Sequence, residues 1–147
     1  MINVERQQTL QVAIDTLHRL LSNPINLPQL LPRIKRVEIG KRDGSEIPVV
    51  AHISVGLPGA QRYPGIFRVM SSEIVFEAQR PLLVLARWQL RPEGTATHVS
   101  AQLRIDFGAM LKPFSRLGGR HALTALERDI ASEMEESLRR AERLAQG

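Results

Sequence analysis

The 147-residue sequence has no cysteine, few aromatic residues and no long apolar segment. Without cysteine, neither disulfide bonds nor thiolate catalysis is available to the chain. No window approaches the ~20 consecutive apolar residues that a membrane-spanning helix requires. The N-terminal MINVERQQTL carries charge and glutamine where a signal peptide has an apolar run. The sequence therefore predicts a cytoplasmic protein without a transmembrane segment, organised as a single domain over residues 1–147.

The common catalytic, phosphate-binding and metal-binding motifs are also missing from the sequence. Gly-x-Ser-x-Gly does not occur. The glycines at 56–59 and 118–119 lack the Gly-Lys-Ser/Thr of a phosphate loop. The histidines are far apart and none has a second ligand at a spacing such as His-x-x-x-His: His18, His52, His98 and His121. We therefore predict no catalytic residue, no metal and no cofactor, and an enzyme is the less favoured interpretation.

Prolines divide the N-terminal third into short elements. Residues 2–12 alternate loosely and predict a first strand, and residues 13–22 have apolar side chains at helical spacing. In NPINLPQLLPRIKRVEI, residues 23–39, leucines keep that spacing, but three prolines forbid a continuous helix. We predict a second short helix over residues 27–31, with Asn26 as its N-cap and Pro28 in its first turn. Two such helices can bend around a sheet edge and close one end of a groove.

From Lys35 onward the apolar period changes to two, which indicates strands. A strand ending at Ile39, the Asp43-Gly44 turn and an apolar face from Ile47 to Val55 predict a hairpin. After a predicted loop that ends near residue 65, we expect strands over residues 66–71, 73–79, 82–90 and 97–107. The last of these has the cleanest alternation in the chain.

The C-terminal segment is predicted to be a long helix. Its apolar residues step by three or four from Leu123 to Leu144, and a short turn at residues 112–114 is expected before it. No other predicted element is long enough to cover the apolar face of the strands. The element order therefore predicts an α+β fold. A curved antiparallel sheet of about seven strands wraps around the C-terminal helix, two short helices follow the first strand, and a cavity is expected beneath the long helix.

The sequence resembles the START-like, or SRPBCC, superfamily of helix-grip proteins, which includes polyketide cyclases, along nearly its whole length. The resemblance rests on AIDTLHRLLSNP after the first strand, on LPQLLPRIKRVEI and on the C-terminal segment from Gly108. Members commonly have a short helix that closes on Asp-Pro or Asn-Pro, followed by a proline-bounded second helix. A tryptophan often found in the first helix is absent, and Leu17-His18 stands in its place. The resemblance implies a helix-grip fold, and its motif positions carry no catalytic signature.

The apolar inward faces favour a non-enzymatic binder or carrier of a small hydrophobic molecule, such as a lipid, a quinone or a polyketide-like compound. The residues expected to line the space between sheet and helix are Phe76, Trp88, Leu103, Phe107, Leu126, Ile130 and Met134. Trp88 and Met134 are the stronger candidates, because a large ring and a flexible thioether adapt to an apolar guest.

Two alternatives remain open. A cyclase/aromatase-type or hydrolase-type enzyme needs a polar group inside the cavity, and strand parity gives Arg6, Gln8 and Arg68 as candidates. The other alternative is a basic surface patch around the first hairpin, formed by Arg33, Lys35, Arg36, Lys41 and Arg42. We interpret this patch first as a solvated face and second as a contact for anionic membrane. Nucleic acid is disfavoured because the segment has no aromatic residue for base stacking.

Overall fold

The computed structural model describes residues 1–55, 59–107 and 119–147, without the side chains of residues 119 and 120. Its elements are β1 (Ile2–Leu10), α1 (Ile14–Leu21), a 3-10 turn (Pro24–Asn26), α2 (Leu27–Leu30), β2 (Ile34–Ile39), β3 (Glu46–Ile53), β4 (Gln61–Val69), β5 (Glu73–Ala78), β6 (Leu83–Glu93), β7 (Ala96–Asp106) and α3 (Gly119–Gln146). The turn predicted at residues 112–114 lies outside the described residues. None of the described helices is apolar over a length that could cross a bilayer.

The seven strands form one antiparallel sheet in the order β1-β7-β6-β5-β4-β3-β2. From β2 to β7 each strand pairs with the next along the chain, and β1 joins through β7, with Ile2 opposite Ile105. β1 and β2 are thus the two edges. The predicted α+β helix-grip fold is confirmed, with seven strands, a long C-terminal helix and two short helices after the first strand.

The helix α3 covers the inner face of the sheet with one apolar stripe. Its fully buried apolar residues recur every three or four positions: Ile130, Met134, Leu138 and Ala141. Hydrogen bonds hold the same half of the helix. The backbone N–H of Gln11 donates to Glu142 Oε2 (2.7 Å), and the Gln146 amide donates to the Gln11 carbonyl (3.0 Å). Arg140 donates to the Gln29 carbonyl of α2 at 3.3 Å.

The three prolines of segment 23–39 lie where short elements begin or end. Pro24 opens the 3-10 turn, Pro28 lies in the first turn of α2, and Pro32 follows the end of α2. At these positions the missing N–H of proline breaks no hydrogen bond of a longer helix. The apolar residues Leu27 and Leu30 are nevertheless buried, so the segment contributes to the core without forming a long helix.

Asn26 occupies the N-cap position of α2 as predicted, but its side chain does not cap the helix. Asn26 makes no side-chain capping bond, and its amide donates instead to the Leu20 carbonyl of α1 (2.8 Å). Asn23 accepts a hydrogen bond from the N–H of Ile25 (3.2 Å) at the start of the 3-10 turn. The side chains of both asparagines are therefore used at the junction between α1 and the turn rather than at α2.

The strand β4 begins five residues earlier than the sequence predicts. Pro64 and Gly65 were expected in a loop, but Gly65 lies within the sheet, opposite Val49 and Ala78. A Cβ built on Gly65 would be 2.9 Å from Cε2 of Phe76 and 2.4 Å from the Glu77 carbonyl oxygen. Glycine here marks the close approach of a neighbouring ring and backbone, a known role of glycine inside a strand.

We predict that Gly65→Ala lowers the free energy of unfolding by about 1–3 kcal/mol, because the new methyl group must displace the Phe76 ring or the β5 backbone. Urea denaturation measures the change. Gly40→Ala is a graded control with a smaller expected loss, since its Cβ would lie 3.1 Å from the Pro48 carbonyl oxygen. Equal stability of wild type and Gly65→Ala would contradict the packing described here.

Candidate ligand cavity

An apolar cavity lies between the inner face of the sheet and α3. Its sheet side consists of two neighbouring rows of side chains on β5, β6 and β7: Phe76, Ala86 and Leu103 in one row, and Val84 and Ile105 in the next. The helix side consists of Glu133 and of Ile130 and Met134, the first two residues of the buried stripe of α3. The cavity therefore lies where the tight packing of α3 begins.

The third side of the cavity comes from the segment after α2 and from the end of β3. It is formed by Leu31, Pro32, Arg33, Ile34, Ile53 and Val55. The sequence prediction missed these residues as lining residues, although it expected the proline-rich segment to close one end of the groove. The sequence signal that could have identified Ile53 and Val55 is the apolar alternation of β3, which continues through Val55.

The free volume of the cavity is about 30 Å³. A water molecule needs roughly 10–15 Å³ by the same measure, so the cavity has room for about two waters. Pockets that enclose a drug-sized ligand are roughly 300–1,000 Å³. The expected space beneath the long helix is therefore present but much smaller than a lipid or polyketide requires.

The first part of α3 packs less tightly than the rest. From His121 to Asp129 no residue is fully buried, and Leu123, Ala125 and Leu126 are only half-buried. From Ile130 onward the stripe is closed to solvent. Because hydrophobic stabilisation scales with the apolar area removed from water, these first turns of α3 are bound less strongly to the sheet than the later ones.

Four of the seven predicted ligand-contact residues line the cavity: Phe76, Leu103, Ile130 and Met134. Trp88 does not line it, because it lies one row away, opposite Ile74 and Ala101, and fills the core there. Phe107 is buried just beyond the end of β7, and Leu126 is half-buried on the loosely packed turns of α3. Whether any of the seven contacts a ligand stays a prediction.

The cavity wall contains two charged side chains among the described residues, and they form an ion pair. Nε of Arg33 lies 2.8 Å from Oε2 of Glu133, and each side chain keeps about a quarter of its surface exposed (26% and 28%). The backbone of Arg33 is held by Ser54, whose N–H donates to the Arg33 carbonyl (2.9 Å). In turn Nη1 of Arg33 donates to the Ser54 carbonyl at 3.3 Å. The arginine is thus fixed at the edge of the apolar space.

None of the polar groups predicted for the cavity lines it. Arg6 has the predicted parity, but β1 is an edge strand, so its guanidinium reaches Glu135 on the outer side of α3 (3.2 Å) and remains 40% exposed. Gln8 is half-buried on the same edge. Arg68 lies on the outer face, where it pairs with Glu46 at 2.9 Å. The parity expected for Arg68 is wrong, because the inward residues of β4 are Tyr63, Gly65 and Phe67 and alternation places Arg68 on the opposite face.

The predicted basic patch loses Arg33 to the cavity wall. Lys35, Arg36, Lys41 and Arg42 are exposed, but acidic residues lie among them. Glu38 forms a 2.8 Å hydrogen bond with His52, which together with Arg62 and Arg36 holds the pKa of Glu38 below its usual range. Part of the positive charge is thus neutralised locally. Contact of the remaining patch with an anionic membrane stays a prediction.

Tyr63 is a buried polar residue on the inner face of β4. It has no exposed surface, and among the described residues its hydroxyl has no hydrogen-bond partner. Burial raises the pKa of Tyr63, so the phenol is neutral at physiological pH. A buried hydroxyl without a partner costs stability and supplies no interaction in return.

We predict that Tyr63→Phe raises the free energy of unfolding by about 1 kcal/mol, because removal of an unpaired buried hydroxyl relieves its desolvation cost. The wild type should also lose stability more steeply than the variant above pH 10, since the unfolded phenol ionises at lower pH than the folded one. Chemical denaturation between pH 7 and 11 measures both effects. A less stable variant would show that the hydroxyl has a partner.

No group of three or more His, Asp or Glu side chains in the described part of the chain is arranged to hold a metal ion.

The profile of the protein family described as "Polyketide cyclase / dehydrase and lipid transport" matches residues 1–146. No curated protein sequence matches the chain significantly.

Solved structures with the same architecture come from several proteins. The di-domain ARO/CYC StfQ from the steffimycin biosynthetic pathway has a TM-score of 0.74 at 16% identity; the match covers 99% of this chain and 51% of StfQ, so the chain spans about half of that protein. The Zhui aromatase/cyclase from Streptomyces sp. R1128 gives 0.69 at 16% identity, covering 96% and 93% of the two chains. The STAR-related lipid transfer protein from Xanthomonas axonopodis gives 0.70 at 13%, covering 97% and 85%. At these identities the likeness concerns the fold.

Proposed function

Since the chain belongs to the polyketide cyclase/dehydrase and lipid transport family, we propose that it binds a small hydrophobic molecule between the sheet and α3. The observation that supports this most is the apolar cavity at Ile130 and Met134, where the tight packing of α3 begins. The family description covers both enzymes and lipid transport, so the choice between them depends on the residues at the cavity.

Binding in this proposal requires the cavity to expand. The ligand enters beneath the first turns of α3, which move outward while the stripe from Leu138 onward stays in place. Residues 121–129 add little to the cost of this movement, because none of them is fully buried in the closed form, and the ligand takes the place of the sheet against Ile130 and Met134. Met134 assists, since its unbranched side chain can take several shapes around a guest.

Binding without chemistry is favoured over catalysis in this proposal. The three polar groups on which an enzyme was expected to depend, Arg6, Gln8 and Arg68, do not line the cavity. Apart from Arg33 and Glu133, the described residues of the wall are apolar. An enzyme at this site would have to use Arg33 or Glu133, and these two side chains are engaged with each other.

Two substitutions that change the cavity volume in opposite directions test the proposal. Ala86→Leu fills the cavity with three more carbon atoms and should weaken binding of the uncharged probe N-phenyl-1-naphthylamine about fiftyfold, at ~0.8 kcal/mol for each methylene of space lost. Met134→Ala enlarges the cavity and should strengthen binding, although it costs about 2–5 kcal/mol of stability. Fluorescence titration measures affinity, and urea denaturation verifies that each variant is folded.

Ala131→Leu is the matched control, since Ala131 is half-buried on α3 but does not line the cavity. Its affinity for the probe should equal that of the wild type. If the wild type binds neither this probe nor any apolar compound from its own host in native mass spectrometry, the proposal is wrong. Binding that is insensitive to both Ala86→Leu and Met134→Ala would place the ligand elsewhere.

A further inference from the structure

The Arg33–Glu133 ion pair joins two parts of the cavity wall that must separate if α3 moves. Arg33 lies on the segment before β2, and Glu133 lies on α3 between the cavity residues Ile130 and Met134. Outward movement of α3 would carry Glu133 away from Arg33. A guanidinium left at the edge of an apolar cavity without an anionic partner is costly. An opened cavity therefore needs another anion at Arg33.

Arg33 also has donors to spare in the closed form. A guanidinium carries five N–H donors in a planar fork. Among the described residues, one donor goes to Glu133 and one to the Ser54 carbonyl. The bond from the Ser54 N–H to the Arg33 carbonyl fixes the backbone independently of Glu133. Arg33 can thus keep its place while its partner changes.

We propose, building on the function proposed above, that the ligand is an amphipathic acid, with its apolar body beneath α3 and its carboxylate on Arg33. The carboxylate takes the place of Glu133 Oε2, and the planar fork of arginine suits a carboxylate in a bidentate arrangement. Glu133 turns to solvent, because two carboxylates cannot share one guanidinium edge without repulsion and more than a quarter of the Glu133 side chain is already exposed. In the bound form Arg33 keeps an anionic partner, and the carboxylate that loses its partner is solvated rather than buried.

Two matched pairs of compounds test the headgroup and distinguish chain-like from ring-like acids. They are decanoic acid against 1-decanol, and 2-naphthoic acid against methyl 2-naphthoate, titrated calorimetrically into the full chain at pH 7.5. At least one acid should bind about tenfold to a hundredfold more tightly than its neutral partner, the range expected for a charge-assisted hydrogen bond. The pair that shows the larger preference identifies the shape of the apolar body.

Variants then assign the preference to Arg33. Arg33→Gln should weaken binding of the acid about tenfold or more and change that of the neutral compound less than about twofold. Glu133→Gln should strengthen binding of the acid, because it removes the competing carboxylate. Arg6→Gln is the matched control, because it removes the ion pair between Arg6 of β1 and Glu135 of α3, neither of which lines the cavity. It should leave the affinities for the acid and for the neutral compound unchanged.

The possible outcomes separate this inference from the proposed function. Equal affinity for acid and neutral partner would overturn the inference and leave apolar binding intact. Binding of none of the four compounds would also overturn the inference, and the proposed function would fail with it if N-phenyl-1-naphthylamine and the host compounds do not bind either. If Arg33→Gln does not fold, as judged by circular dichroism, the inference is tested by the acid affinity of Glu133→Gln and by the salt dependence of the wild-type affinities. The inference then requires tighter acid binding by Glu133→Gln and an acid affinity of the wild type that falls with salt while that of the alcohol does not.

Discussion

The contact between the buried stripe of α3 and the inner face of the sheet is the interaction on which the rest of the structure depends. A seven-stranded sheet with one apolar face is unstable in water unless another layer covers that face, and α3 is the long helix that covers it. The stripe is closed from Ile130 to Ala141 and is reinforced at its far end by the Gln11, Glu142 and Gln146 hydrogen bonds. The far end of α3 is thus held by buried side chains and hydrogen bonds together, whereas its first turns have no fully buried residue between His121 and Asp129.

The cavity is a consequence of this uneven packing. Side chains at Ala86 and Leu103 do not fill the space beneath Ile130 and Met134, next to the less buried turns of α3, and a volume of about 30 Å³ remains. The prolines of segment 23–39 contribute a second boundary. Because they replace one helix with two one-turn elements, the chain arrives at Pro32 and Arg33 on the rim of the same space. An apolar interior with a single ionic edge follows from these two features.

Much of the fold could be predicted from the sequence, because strand alternation and the spacing of the α3 stripe each report directly which face is buried. The exceptions have local causes. β4 was shortened in the prediction because Gly65 signals a turn in most sequences, whereas here it accommodates the ring of Phe76. Asn26 lies at the N-cap position, but its side-chain amide donates to the carbonyl of Leu20 and its side chain makes no capping bond.

The site could be predicted only in part. Periodicity identifies the inward face but not the row in which side chains fail to meet, so Trp88 was preferred as a ligand contact although Leu103, on the same face, lines the cavity and Trp88 does not. Arg33 was grouped with its basic neighbours, because nothing in the sequence shows that a glutamate one hundred residues later lies 2.8 Å away. Contacts between distant segments of this kind require the fold.

Hydrogen–deuterium exchange along α3, with and without 1-decanol, tests the central claim most directly. In the free protein, amides of residues 123–129 should exchange about tenfold faster than those of residues 130–141, because the first group is not anchored by buried side chains. Saturating decanol should change exchange at residues 123–134 and leave residues 138–141 unaffected. Uniform protection along the whole helix, unchanged by decanol, would contradict the account of a helix fixed at one half and open to a ligand at the other.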